Sequence, residues 1–235
     1  MKKFFVFTLL LLMSAGIAQA QDENTLSSED LINDIDNITE GNVNRVFKHI
    51  DVTGTPYYET KFQQGRLKYK DQWTENLFLR LDVRNNIIEL QKFGEIVYID
   101  GHRIDEIEIF DKKRTYLKNG YYAKSIPTMR KSHFMRVIYE DEDVTVFERR
   151  TVKRLVNTVT YGTATQKDYY DWSKKTYALI DGDAKSFKLK DKDIFKLFPD
   201  HKDEIKSYIK KNKLKVKRED DFRKAMEYAK TLRTS

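Results

Sequence analysis

Metal and base chemistry depend first on histidine and cysteine, because imidazole and thiolate ligate transition metals and activate nucleophiles near neutral pH. The chain of 235 residues contains no cysteine, and its histidines are His49, His102, His133 and His201. His102 has Asp100 and Asp105 nearby, and His201 has Glu204 one helical turn away. Neither group has the two-histidine spacing HExxH. The sequence therefore predicts no metal site and no cofactor.

Acid pairs are the second candidate for catalysis. The close pairs are Glu106 with Glu108, Asp141 with Asp143, and Asp168 with Asp171. A glycosidase needs two carboxyl groups that face each other across a sugar, whereas these pairs flank turns or alternate along a strand, which is typical of a solvated surface. No GxSxG elbow, SxxK pair or glycine-rich phosphate loop occurs. The sequence therefore favours a non-enzymatic protein, with a hydrolase using a carboxylate pair as the alternative.

Aromatic residues are the compositional feature that points to ligand binding. Tyrosine and phenylalanine number fourteen each, and amphipathic rings on a sheet can form a platform for sugars, peptides or lipids. The same residues are also good strand formers that fill a core. If a ligand site exists, the candidate residues are Trp73, Tyr121, Tyr122, Tyr169 and Trp172.

Basic residues accumulate toward the C-terminus. Residues 21–60 hold nine acidic and two basic residues, whereas residues 184–235 hold seventeen basic and nine acidic ones. A basic tail can bind anionic lipid or an acidic polymer, but it is also typical of a solvated helix surface. The candidate basic patch consists of Lys206, Lys210, Lys211 and Lys213.

Over most of the chain, the elements that position these side chains are predicted strands. In residues 54–189 short alternating apolar runs follow one another, separated by turn residues such as Asp181-Gly182-Asp183. Links of a few residues suit antiparallel neighbours, because parallel strands need crossovers of about a dozen residues. The sequence predicts a mainly β fold, with a long antiparallel meander that forms a curved sheet or a partly open barrel. Its later strands are predicted at 134–140, 144–148, 152–161, 167–172, 175–180 and 184–189.

Helices are predicted at both ends of this β domain. Residues 21–53 form an acidic leader that is partly helical or disordered, with Ser27 or Ser28 as the candidate helix cap. Residues 190–235 switch to a helical period, which predicts a C-terminal helical cap of two or three short helices. These are expected at 192–197, at 201–211 with Asp200 as its cap, and at 219–232.

The first twenty residues predict the compartment. Lys2 and Lys3 precede the apolar run 4–13, and Ala18-Gln19-Ala20 fits a cleavage site, so residues 1–20 are interpreted as a secretory signal peptide. The apolar run is about half the length of a membrane-spanning helix, and we expect no transmembrane anchor after cleavage. Without cysteine the chain cannot be a lipoprotein. The prediction is an exported protein of the periplasm or cell surface, which does not meet nucleic acid.

Two segments carry a family resemblance. Gly54-Thr55-Pro56-Tyr57, followed by Phe62 and Gly65, opens the β region, and the segment YIKKNKL at 208–214 leads into a last amphipathic helix. The chain resembles, over nearly all of its mature length, an uncharacterised family of exported β-rich proteins from Bacteroidota. The resemblance implies an envelope location and a lineage. The family has no known activity, so the resemblance implies no catalytic residue.

Export, a long meander, many aromatic residues and the lack of catalytic motifs together favour one function. We expect a non-enzymatic binding or interaction module of the cell envelope, whose partner is an envelope ligand or another envelope protein. An envelope hydrolase that uses a carboxylate pair is one alternative. A structural or adhesive envelope protein that acts through strand edges or the basic tail is the other.

Overall fold

A computed structural model of the chain describes residues 25–36, 52–111, 114–119, 133–156 and 168–233. The fold is mainly β with short C-terminal helices, which confirms the predicted fold class. The predicted signal peptide, His49, Tyr121 and Tyr122 lie outside the described residues.

Twelve strands form a single sheet. They are β1 (Val52–Thr53), β2 (Gln63–Tyr69), β3 (Gln72–Trp73), β4 (Leu77–Asp82), β5 (Ile87–Lys92), β6 (Glu95–Asp100), β7 (Glu106–Ile109), β8 (Thr115–Asn119), β9 (Phe134–Glu140), β10 (Val144–Leu155), β11 (Asp168–Ile180) and β12 (Asp183–Phe187). Their order is β1-β11-β10-β9-β8-β7-β2-β4-β5-β6, with β12 beside β11 and β3 beside β2. Among the described strands no ladder joins β1 to β6, so the sheet is open rather than closed into a barrel.

The meander of the described strands is interrupted between β6 and β7. Strands β7 to β11 follow one another in sequence order, but β7 pairs with β2 instead of β6. Gly65 makes this pairing possible, because a Cβ atom there would lie 2.4 Å from the backbone oxygen of Glu108. The pairing at β1–β11 is parallel, and the other ladders are antiparallel.

One helix covers the core of the first half of the sheet. Helix α1 (Ser28–Asp36) buries Leu31 against apolar residues of β2, β4, β5, β6 and β7. Ser27 is its cap, since its hydroxyl accepts a hydrogen bond from the Asp30 amide at 3.0 Å and donates to the Asp30 carboxylate at 2.6 Å. The predicted helical part of the leader is therefore present and packed.

Three helices cover one face of the second half of the sheet. They are α2 (Asp191–Leu197), α3 (Lys202–Lys211) and α4 (Glu219–Arg233). Their apolar residues pack on Val144, Val146 and Ala178 of β10 and β11. Asp200 was expected to cap α3, and this is wrong: Asp200 lies in a 3-10 turn (Pro199–His201), and His201 takes the cap position without a side-chain hydrogen bond.

The two longest strands position the candidate site. The sequence predicts breaks after residues 148 and 172, but β10 and β11 run unbroken over 12 and 13 residues. They pair from Val144↔Ile180 to Leu155↔Tyr169. Consecutive charged residues break the apolar and polar alternation from which a strand is predicted. The hydrogen bonds of the backbone ladder do not depend on side-chain polarity. The corrected strands carry the charged residues that the prediction placed in loops.

Candidate functional site

The β10–β11 ladder places basic residues opposite basic residues. Arg149 pairs with Lys175, and Arg150 pairs with Lys174 at the next position. Residues directly opposite in an antiparallel ladder have Cβ atoms about 5 Å apart, and like charges at that distance are destabilising. We call these four residues the cationic ladder. The ladder therefore brings four basic residues together at this point of the sheet.

The two pairs of the cationic ladder lie on opposite faces of the sheet, because side chains alternate along a strand. Arg150 and Lys174 lie on the same face as Val146, against which the helices pack. Arg149 and Lys175 lie on the other face, which we call the outer face. There they follow Phe147 and Tyr177, whose rings stack at 5.7 Å.

Two hydroxyl groups lie beside the outer-face cations. Thr151 and Ser173 form the next cross-strand pair on that face, and their side-chain oxygens are 3.0 Å apart. Rows on one face are about 7 Å apart. Arg149, Thr151, Ser173 and Lys175 therefore present cationic and hydroxyl donors together, and we call them the outer-face cluster. Lys175 is exposed and has no acidic partner among the described residues.

On the helix face, Arg150 is fixed by its neighbours. Its Nε atom donates to the Glu148 carboxylate at 2.8 Å, and its guanidinium lies 4.2 Å from the centre of the Tyr58 ring. Burial opposes ionisation of Glu148, but the hydrogen bond from Arg150 and the charge of Arg136 outweigh it and lower the pKa of Glu148. Burial raises the pKa of Tyr58 to about 12, which keeps the ring neutral. Arg150 thus belongs to the internal framework.

That framework also holds the last helix to the sheet. Arg136 donates to both carboxylate oxygens of Glu219, the first residue of α4, at 2.8 and 2.6 Å. Its Nε atom reaches Glu148 at 3.4 Å. The bidentate pair with Glu219 raises the pKa of Arg136 further above its usual value. On the helix face, ion pairs therefore hold the last helix to the sheet.

The predicted aromatic platform is divided in the structure. Trp172 lies on the helix face of β11 and donates from Nε1 to the Thr55 carbonyl at 2.9 Å. Tyr169 lies on the outer face of the same strand. Trp73 lies in β3, where the Arg66 guanidinium is 4.4 Å from the centre of its ring. Four strands separate β11 from β2 in the sheet, so Trp73 and Trp172 do not share a ladder.

The predicted basic patch lies on α3 and just after it. Lys206, Lys210, Lys211 and Lys213 are exposed, and none of them forms an ion pair within the part of the chain that the structure describes. Helical spacing spreads these lysines around the helix surface. Because no ladder holds them opposite one another, they provide a natural control for the cationic ladder.

Five of the six acids of the predicted pairs form contacts within the chain, and the sixth, Asp171, lies opposite Lys153 in the β10–β11 ladder. Glu106 bonds Lys68 at 3.3 Å, Glu108 bonds Arg66 at 2.5 Å, and Asp168 bonds Arg154. In the β9–β10 turn, Asp141 accepts hydrogen bonds from Tyr139 and from two backbone amides, and Asp143 pairs with Arg233. Each of these contacts ties an acid to a cation or a turn.

The histidine sites are turn contacts. His102 Nδ1 lies 2.7 Å from an Asp100 carboxylate oxygen that also accepts from the His102 amide. His201 lies 3.8 Å from Glu204. Among the described residues, no three histidine or acidic side chains come together as a metal site.

The outer-face cluster was not found from the sequence, because Arg149, Thr151 and Ser173 lie at the predicted strand breaks and Lys175 only begins the next predicted strand. One signal was present. The doublet Arg149-Arg150 lies in one predicted strand break, and the doublet Lys174-Lys175 lies at the end of another, one on either side of the same connection. A ladder extended across both interruptions would have set the doublets opposite each other.

Comparisons with protein-family models, with curated proteins and with solved structures find no match to this chain. No helix within the described ranges has both the length and the apolar character needed to cross a bilayer. The candidate site therefore rests on its own geometry.

Proposed function

We propose that this protein is an exported, non-enzymatic binding module of the cell envelope, and that its outer-face cluster binds an anionic ligand. The observation that carries the proposal is the direct opposition of Arg149 and Lys175 beside the hydroxyls of Thr151 and Ser173. The predicted signal peptide at residues 1–20 and the resemblance to exported Bacteroidota proteins support the location.

The chemistry of the cluster selects an oxyanion. Arginine and lysine donate charge-assisted hydrogen bonds to phosphate, sulfate or carboxylate oxygens, and serine and threonine add neutral ones. An anion between Arg149 and Lys175 also removes the repulsion between the two cations.

Protection of a strand edge is a competing explanation for the lysines alone. Beyond β10, β11 is paired by β1 at Asp168 and Tyr169 and by β12 from Thr176 onward, so residues 170–175 form a free edge in the described sheet. Lysine at such an edge discourages pairing with other chains. This does not account for Arg149, because β10 is an interior strand between β9 and β11.

Titration of the purified protein with long-chain inorganic polyphosphate tests the proposal, with affinity measured by calorimetry over a range of salt concentrations. We expect Lys175→Gln to lower the affinity about tenfold, and to reduce the slope of log affinity against log salt by about one. Lys174→Gln makes the same charge change on the neighbouring residue of the opposite face, and we expect a smaller effect.

Two results would reject the proposal. One is the absence of salt-sensitive binding by the unmodified protein. The other is an equal loss of affinity in Lys175→Gln and in a Lys206→Gln variant on α3, because only net charge would then matter.

A further inference from the structure

We infer that the free edge of strand β6 pairs with β6 of a second copy of this chain, so that the two sheets continue into each other across a twofold axis. The inference goes beyond the proposed anion site, which lies on β10 and β11, and does not depend on it. It rests on the backbone and the side chains of the β5–β6 hairpin.

The edge of β6 lacks the usual protection. Over the ranges that the structure describes, β6 ends the sheet and pairs with β5 alone. Sheet edges are commonly protected against pairing by lysine, proline or a β-bulge. Strand β6 contains no lysine and no proline, its acids Glu95 and Asp100 are confined to its two ends, and its register with β5 runs without a shift. The edge of β11, in contrast, carries Lys174 and Lys175.

The hairpin fixes which backbone groups of β6 point away from β5. Its two-residue turn makes Lys92 and Glu95 a hydrogen-bonded pair. Bonded and non-bonded pairs alternate along an antiparallel ladder, so the odd-numbered residues of β6 bond to β5. The amide of Gly101 continues this pattern, since it donates at 2.8 Å to the residue before β5. Ile96 and Tyr98 therefore direct their amides and carbonyls toward the free edge.

The same two residues have exposed apolar side chains. Ile96 and Tyr98 are 40% and 41% exposed, on the face opposite the one that packs Val97 and Ile99 into the core. At the turn, Phe93 is 91% exposed, and its φ of 50° is a left-handed conformation that bulky residues rarely adopt. Such exposure and backbone strain are typical of a surface that meets a partner.

One register satisfies both the backbone and the side chains. A twofold axis at Val97 sets Ile96 opposite Tyr98 of the second copy, and each such pair exchanges two backbone hydrogen bonds. Apolar side chains then face apolar side chains, and Val97 faces its own counterpart. An axis at Tyr98 would instead set Ile96 opposite the carboxylate of Asp100. Because the strand supplies its own complement, as a twofold interface requires, the partner is a second copy of the chain.

Sedimentation of the purified protein over a range of concentrations tests the pairing, and we expect a monomer–dimer equilibrium. Tyr98→Pro removes an outward amide but no bond to β5, and proline is tolerated at such an edge position. We expect this variant to raise the dimer dissociation constant about tenfold. Ile96→Lys, which places a lysine at the edge, should weaken the dimer in the same direction.

Phe78→Lys is the matched control, because Phe78 is an exposed apolar residue on the interior strand β4. It should leave the dissociation constant unchanged. Equal thermal midpoints of the variants would show that all of them are folded.

Disulfide trapping tests the register, since the chain contains no cysteine of its own. Val97→Cys places two thiols directly opposite each other with Cα atoms about 4.5 Å apart, which is within disulfide range. Tyr98→Cys places them on a diagonal, with Cα atoms about 8 Å apart and out of range. We expect oxidation to cross-link the Val97→Cys protein and not the Tyr98→Cys protein.

Several results would overturn the inference. A monomer at every concentration would rule out a second copy and leave the edge to a strand of another protein. Equal dissociation constants for the unmodified protein and Tyr98→Pro would rule out backbone pairing at β6. Cross-linking of Tyr98→Cys in place of Val97→Cys would reject the register. None of these results affects the anion site, whose polyphosphate affinity is measured separately.

Discussion

The two halves of the sheet differ in the charge pairs that their strands place directly opposite each other. In the first half, Arg66 faces Glu108 across β2 and β7, and Arg80 faces Glu89 across β4 and β5. In the second half, Arg149 faces Lys175 across β10 and β11. The strands share one sheet, so the difference is not a consequence of fold class. Opposite charges face each other at these pairs of the first half, whereas the Arg149–Lys175 pair of the second half brings two like charges together.

Glu108 illustrates the first half. Its side chain is fully buried and accepts hydrogen bonds from Arg66 and from Arg114 at 3.3 Å. Burial opposes its ionisation, but hydrogen bonds from Tyr116 and Arg66 outweigh burial and lower the pKa of Glu108. The carboxylate is therefore saturated by partners from its own chain.

Arg80 is enclosed in a similar way. Its guanidinium lies 3.9 Å from the centre of the Tyr57 ring and 4.5 Å from that of Phe62, and it bonds Glu89 at 2.6 Å. The hydroxyl of Tyr57 donates to the same carboxylate at 2.9 Å. Nothing in this group needs an external ligand to balance its charge.

The largest expected effect comes from removing a buried charge in the first half of the sheet. Glu108→Ala should lower the free energy of unfolding by about 3 kcal/mol, because it removes a buried acceptor and leaves the Arg66 charge without its partner. Urea unfolding measures this loss. Glu106→Ala, on the same strand and face but in a more exposed pair with Lys68, should lose less than about 1 kcal/mol. Equal losses in the two variants would contradict the distinction between buried and exposed pairs.

The second-largest effect should come from acidic pH, which lowers the stability that Glu108 contributes to the first half of the sheet. The pKa of Glu108 is lower in the folded protein than its ordinary value of 4.5. Its contribution is therefore fully present above 4.5 and is lost as the pH falls through the lowered folded value. Urea unfolding from neutral pH down to about pH 3 should show this decline. The decline should be shallower in Glu108→Gln, and an identical pH profile in both proteins would refute the assignment.

Reversing the charge of Lys175 should have opposite effects on stability and on anion binding in the second half of the sheet. Lys175→Glu converts a like-charge pair into an opposite-charge pair, so we expect it to stabilise the protein by about 1 kcal/mol and to abolish polyphosphate binding. Lys206→Glu, an equal charge change on α3, should alter stability by no more than about 0.5 kcal/mol. A destabilised but binding-competent Lys175→Glu variant would run against the proposed role of this residue.

Coupling energies provide the smallest and most direct comparison. A double-mutant cycle with alanine at Lys68 and Glu106 should give a favourable coupling of about 0.5 kcal/mol. The same cycle at Arg149 and Lys175 should give a coupling of similar size and opposite sign. A favourable coupling at the second pair would mean that the free protein already neutralises it.

Much of the fold was predictable because its signals are local. Alternation at Leu77, Leu79 and Leu81 places the buried side of β4, and the order serine, acid, acid before Leu31 predicts a capped helix. The structure adds which serine caps it, namely Ser27. The C-terminal helices were likewise expected from their apolar stripes.

The candidate site was not predictable in the same way. Lys206, Lys210 and Lys211 attract attention because they are neighbours on one helix, whereas Arg149 and Lys175 belong to strands joined by a long connection. Register between such strands is fixed by the core they bury and by their other neighbours, here β9 and β12, and not by their own charges. Trp73 and Trp172 show the reverse case. The sequence placed both in one candidate ligand site, but the fold places them in strands that do not pair.

The sequence by itself determines a mainly β protein with C-terminal helices and predicts its export, because alternation, helical period and a signal-peptide layout are properties of contiguous residues. Only the tertiary structure decides that Arg149 meets Lys175, that Thr151 meets Ser173, and that Leu155 and Tyr169 continue the same face. The physical reason is that one shift in register would move every one of these side chains to the opposite face, and the packed sheet around β10 and β11 excludes that shift.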